Sequence, residues 1–126
     1  VVDEKIRRVV MCSGKVYYDL YEAREAAGIN DIYLLRVEQF YPFPAKALIN
    51  ELSRFAKAEM VWAQEEPKNM GAWSFMEPNL EWALEQVGAK HHRVRYAGRP
   101  SSAATATGLA KKHAEEQKNL VDQALL

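Results

Sequence analysis

The residues whose types and spacing could do chemistry fall in short polar turns, and "RYAGRPSSAATATG" is the richest of them. Ser101 is placed to cap a helix by accepting a hydrogen bond from the N–H of Ala103 or Ala104. A helix start carries about half a positive charge. Arg99 stands beside it, and Arg93 and Arg95 precede it. Together these groups would stabilise an anion such as a phosphate, which makes Arg95, Arg99, Ser101 and Ser102 a candidate anion or regulatory site. The same residues also read as a plain serine cap, followed by alanines that let a helix pack closely on a sheet. The stretch is neither G-x-x-x-x-G-K-[ST] nor G-x-G-x-x-G, so it lacks the generic nucleotide fingerprints.

The adjacent carboxylates Glu65 and Glu66 invite an acid/base reading. Neighbouring strand residues point to opposite faces, so one faces inward and one outward, and a structural or interface role is preferred to a catalytic dyad. His91 and His92 are paired with no cysteine or carboxylate at ligand spacing, which makes poor metal chemistry. Ser13, Ser101 and Ser102 lack the context of a nucleophile elbow and an obvious base. Cys12 is the single cysteine; it sits in the apolar run "RRVVMCSG" and reads as a buried, inert thiol. Most of the aromatic residues, including Trp62, Trp73 and Trp82, are expected in the core. Tyr41 and Phe43 are the exception, because "YPFP" holds them between prolines on a rigid turn, the form of a partner surface. The candidate interface residues are therefore Tyr41, Phe43, Glu65, Glu66 and Trp73.

These turns need a scaffold, and the chain supplies one. Its 126 residues are 48% hydrophobic and 27% charged, enough for a single domain with a real core. Seventeen basic side chains balance seventeen acidic ones. The overall field therefore gives no reason to expect a nucleic acid or an anionic membrane as partner. No apolar stretch approaches the roughly 20 residues of a membrane span. One cysteine excludes an intrachain disulfide, which fits a reducing compartment. The start, "VVDEKIRR", lacks an initiator Met and suggests a piece of a longer protein.

Strands are expected at 7–14, 31–39, 59–67 and 92–98, alternating with helices at 16–28, 43–58 and 71–88 and a last long helix from Ser101. Pro78 is expected to kink the third helix or start a second segment. This alternation implies βαβ units, a mainly parallel sheet and helices on both faces. The fourth strand belongs at or near an edge, since Arg93 and Arg95 share one face and Val94 and Tyr96 the other. All four polar turns then leave the sheet at its carboxyl end, where open α/β sheets bind ligands.

Four turns, "RRVVMCSGKVYYDL", "RVEQFYPFP", "QEEPKNMGAW" and "RYAGRPSSA", together resemble the C-terminal domain of 2-oxoglutarate dehydrogenase E1, in order and with suitable spacing across almost the whole chain. The resemblance implies a transketolase C-terminal-like fold. That is a three-layer α/β/α sandwich around a mainly parallel sheet of about five strands, with one antiparallel edge strand truncated or missing before the first strand read here. It implies a parent enzyme that decarboxylates 2-oxoglutarate with thiamine diphosphate and Mg2+, and succinylates the lipoyl group of E2 in the citric acid cycle. Implied partners are the remaining E1 domains, a second E1 subunit, the E2 succinyltransferase and E3; the implied compartment is the bacterial cytoplasm or the mitochondrial matrix. The family's cofactor lies in the preceding domains, so no catalytic, cofactor or metal residue is carried over, and the isolated chain is expected to be inactive. A nucleotide- or acyl-CoA-binding regulatory module is the alternative from a different class. The same domain of 2-oxoadipate dehydrogenase or transketolase is the alternative within it.

Overall fold

Five-residue runs of buried side chains set the architecture. In the computed structural model, which describes residues 5–38, 44–66, 68, 71–98 and 110–125 (side chains of 110–114 excepted), β1 (Arg8–Cys12) is buried at every position and β3 (Glu59–Gln64) at all but its first. Strands covered on both faces read as continuous apolar runs and belong inside a parallel sheet. The sheet runs β2 (Ile32–Arg36), β1, β3, β4 (Val94–Gly98), and every pairing is parallel. β4 is an edge strand, as its alternating pattern requires. Four strands are found among the described residues; the antiparallel strand implied by the resemblance would precede β1, where residues 1–4 lie outside them.

Period-two alternation sorts the strand residues between two helical layers. Val9, Met11, Met60, Trp62 and Val94 face a core with Leu48 and Leu52 of α2 (Ala45–Leu52), and with Met76, Leu80 and Leu84 of α3 (Trp73–Gln86). A 3-10 turn at Ser53–Phe55 extends α2 and buries Phe55 in the same core. Val10, Cys12, Ile32, Val61, Ala63 and Ala97 face the other core, with Val16 and Leu20 of α1 (Val16–Ala26) and Leu120 and Ala124 of α4 (Ala110–Leu125). The result is the expected α/β/α sandwich, with α1 and α4 on one side and α2 and α3 on the other.

Two local expectations change. Pro78 does not start a second segment: α3 is one helix from Trp73 to Gln86 with Pro78 inside it. The ring removes the donor for the Ser74 carbonyl, and both residues are exposed on the outer side, where water can take that bond. The aromatic residues also divide. Trp62 and Trp73 are buried, but Tyr18, Tyr21, Phe75 and Trp82 are exposed, Trp82 at 47%.

Candidate functional site

The chain leaves β1 towards β2 on one side, and leaves β3 towards β4 on the other. The gap between the carboxyl ends of β1 and β3 is thus the topological switch point of this sheet, the place where loops diverge and leave a crevice. A cavity of about 440 Å³ lies there. Trp62 and Gln64 of β3 contribute to it, with Ser13 after β1, Glu66, Gly71 and the Phe75 ring.

Gln64 organises this crevice. It is 3% exposed, and a buried amide must find partners for each polar atom. Its Oε1 accepts from the Trp62 indole N–H at 2.9 Å and from the Trp73 backbone N–H at 3.1 Å, while its Nε2 donates to the Glu66 carbonyl at 3.1 Å. The Trp73 bond matters for α3, whose cap residue, Ala72, has no side chain able to serve. Gln64, nine residues earlier, supplies the missing acceptor. Gly71 follows from the same crowding. Its φ is +68°, and a Cβ there would lie 3.0 Å from Glu66 Oε1 and 3.2 Å from Gln64 Oε1. Gly98 closes the β4 side: a Cβ would meet the Tyr96 hydroxyl oxygen at 2.6 Å and the Gln64 carbonyl at 2.8 Å.

The sequence-predicted residues separate in space. Glu65 and Glu66 follow β3 rather than belonging to it. The half-buried Glu65 accepts from Gln117 Nε2 at 2.9 Å and so ties the end of β3 to α4; the same nitrogen donates to Asp19 at 2.7 Å. Glu66 is exposed beside the cavity. The two carboxylates thus meet different surroundings. Trp73 turns inward, 6% exposed, with its ring centroid 5.2 Å from that of Tyr96. Tyr41, Phe43, Arg99, Ser101 and Ser102 lie outside the described residues.

Arg95, read in the sequence as part of an anion group, is paired with a carboxylate. Its guanidinium donates to Glu59 at 3.0 Å, at the start of β3 and the amino edge of the sheet. Glu59 also accepts from Arg8 at 2.9 Å, and Arg8 donates to the Ala124 carbonyl at 3.0 Å near the end of α4. Burial opposes ionisation of Glu59, but the hydrogen bonds from Arg95 and Arg8 outweigh it and hold the carboxyl below the usual carboxylate range. His91 and His92 also lie at this amino edge, a strand's length from Ser13. No described histidine can act as base to that hydroxyl.

A second corner forms where β1 and β2 end. Glu38 accepts from the Gly14 backbone N–H at 3.0 Å and from Arg36 at 2.7 Å. The Gly14 bond first, and Arg36 second, draw the Glu38 carboxyl below its ordinary value. Cys12 is fully buried, as expected of an inert thiol. Burial first, and Glu38 second, push it up to about 12, so thiolate is scarce at neutral pH.

Gln64, Glu59 and Arg8 are the organising residues that sequence reading passed over. Arg8 had a visible signal, a charge at the head of an otherwise apolar strand. Gln64 had none, because "AQEEP" places it among turn residues.

Comparison with known proteins places these features in a family. The model of the 2-oxoglutarate dehydrogenase C-terminal family matches residues 1–125. The 2-oxoglutarate dehydrogenase E1 components of Brucella anthropi and Brucella ovis are each 71% identical over 123 residues, which is 98% of this chain and 12% of each relative. The chain thus spans about an eighth of the length of these relatives.

Proposed function

Because the chain belongs to the 2-oxoglutarate dehydrogenase C-terminal family, we propose that it is a noncatalytic domain that buttresses the rest of an E1 enzyme through the carboxyl edge of its sheet. The observation that carries this reading is the match itself: nearly all of this chain corresponds to a small fraction of a much longer enzyme. The chemistry of the switch-point crevice supports it. Trp62 and Phe75 offer apolar contact, Ser13 and Glu66 offer hydrogen bonds, and Gln64 is engaged within the fold. That set suits the insertion of a neighbouring surface better than bond-making.

Thiamine diphosphate and Mg2+ belong to the parent in this proposal, not to these residues. A diphosphate needs cations, and the crevice presents the Glu66 carboxylate; no group of three His, Cys, Asp or Glu able to hold a metal ion occurs among the described residues. The residues do not fit that cofactor. In the parent, 2-oxoglutarate would be decarboxylated and the E2 lipoyl group succinylated by the other domains. A second E1 subunit, E2 and E3 would be the partners. Bacterial cytoplasm is the compartment in keeping with the Brucella relatives. Among the described residues no helix is long and apolar enough to cross a membrane.

Two measurements test the proposal together. The chain alone, supplied with thiamine diphosphate, Mg2+ and 2-oxoglutarate, is expected to release no CO2 above background. Deleting the corresponding residues from the full-length enzyme is expected to abolish stable assembly and activity. Turnover by the chain alone, or full activity after the deletion, would overturn it.

A further inference from the structure

α3 is apolar on two opposite sides. Trp73, Met76, Leu80 and Leu84 point into the core. Phe75, Pro78 and Trp82 recur at i, i+3 and i+7 on the outside, with Phe75 at 40% and Trp82 at 47% exposed. A surface helix ordinarily carries one apolar stripe and a polar outer face, so a second apolar stripe on the outside marks a contact surface. The stripe also begins at the switch-point crevice, since Phe75 lines it, and is therefore continuous with the edge proposed above to meet the rest of the enzyme.

The charges of α3 specify what covers it. Its ionisable residues are Glu77, Glu81 and Glu85, with no lysine, arginine or histidine. At 100° per residue these three run along one flank of the stripe, and the neutral Asn79 and Gln86 along the other. Antiparallel pairing of α3 with α3 of a second copy would set three carboxylates against three, and in a parallel pairing neither helix offers a cation to the other's carboxylates. Like charges across an interface disfavour such a pairing. A heterologous segment edged with lysine or arginine has no such conflict. The relatives, of which this chain spans 12%, contain ample polypeptide to supply it. We propose that the outer face of α3 is an intramolecular docking surface, taken by an apolar segment with a basic flank from the part of the longer polypeptide outside these residues. The proposal rests on reading the chain as a domain of that enzyme.

The test uses Trp82→Lys and Trp82→Glu, made both in the 126-residue chain and in the full-length enzyme that carries it. In the chain alone both variants should melt with the parent, because Trp82 adds little to its core. In the full-length enzyme, amide exchange across residues 73–86 should rise about tenfold, with Lys more disruptive than Glu because it meets like charge. Unchanged exchange in both full-length variants, or a dimer of the chain alone that Trp82→Glu dissolves, would overturn the proposal. Ser13→Trp, which fills the crevice, separates the two readings. If it loosens the full-length enzyme while both Trp82 variants do not, the α3 inference falls and the buttressing reading stands. If deletion of the domain leaves assembly intact, the buttressing reading itself falls.

Discussion

The outer faces of α1 and α3 expose aromatic rings to similar degrees, yet they are finished differently. Tyr18 and Tyr21 of α1 are 55% and 44% exposed. The Arg36 guanidinium lies 5.3 Å from the Tyr17 ring centroid and 5.1 Å from that of Tyr18, and Arg24 lies 5.3 Å from that of Tyr21. Arg36 also donates to the Tyr18 hydroxyl at 3.2 Å. Cations over ring faces, with hydroxyls for water, make these tyrosines a completed surface. On α3 no guanidinium lies over Trp82 among the described residues, and the nearest charges along the helix are carboxylates. Exposure alone therefore does not mark a docking site; what the domain itself places over a ring does.

The largest effect that sharpens this contrast comes from the inner side of α3. Leu80→Ala removes a fully buried side chain and should cost about 3–4 kcal/mol in denaturant unfolding of the chain. Trp82, two residues on, should cost almost nothing by the same measurement. A Leu80 variant as stable as the parent would mean that α3 is not held by its inner stripe.

A smaller effect is expected on the α1/α4 side, where ionic ties hold the last helix. Glu59→Gln weakens the ties from Arg8 and Arg95, and should cost about 1–2 kcal/mol near neutral pH, less than a deeply buried pair because 36% of the Glu59 side chain meets solvent. The sign with pH is fixed by linkage. A carboxyl held below its unfolded value stabilises the fold above that value, and loses the contribution as pH falls through the folded value. The gap between parent and variant should accordingly close below about pH 4. A gap that widens in acid would contradict the arrangement.

Arg36→Ala is the smallest change. Uncovering Tyr17 and Tyr18 should leave the unfolding midpoint almost unchanged, and should give the α1 side a new affinity for a fluorescent apolar dye. If dye binding does not increase, the guanidinium lid is not what distinguishes the two surfaces.

Much of this was legible in the sequence, for identifiable reasons. Apolar runs at β1 and β3 could only be strands covered on both faces, and the alternation from Arg93 to Tyr96 put β4 at an edge. Parallel order then brought the carboxyl ends of the four described strands together. The site itself was less legible. Arg95 reads in the sequence as part of a basic cluster, but β4 turns it to the Glu59 carboxylate at the amino edge of the sheet. Gln64 caps a helix nine residues away, a relation that exists only once β3 and α3 have packed. Trp82 was expected in the core on composition, although the buried arc set by Trp73, Met76, Leu80 and Leu84 leaves it outside.

The grip of Arg8 on the Ala124 carbonyl spans 116 residues of sequence. A ribosome delivers β1 before α4, so during synthesis the α4 share of the core that holds Val10 and Cys12 arrives only after the other described elements have emerged. The core on that side of the sheet is thus completed only after β4 has been made. Closure of that second core is timed by the arrival of α4.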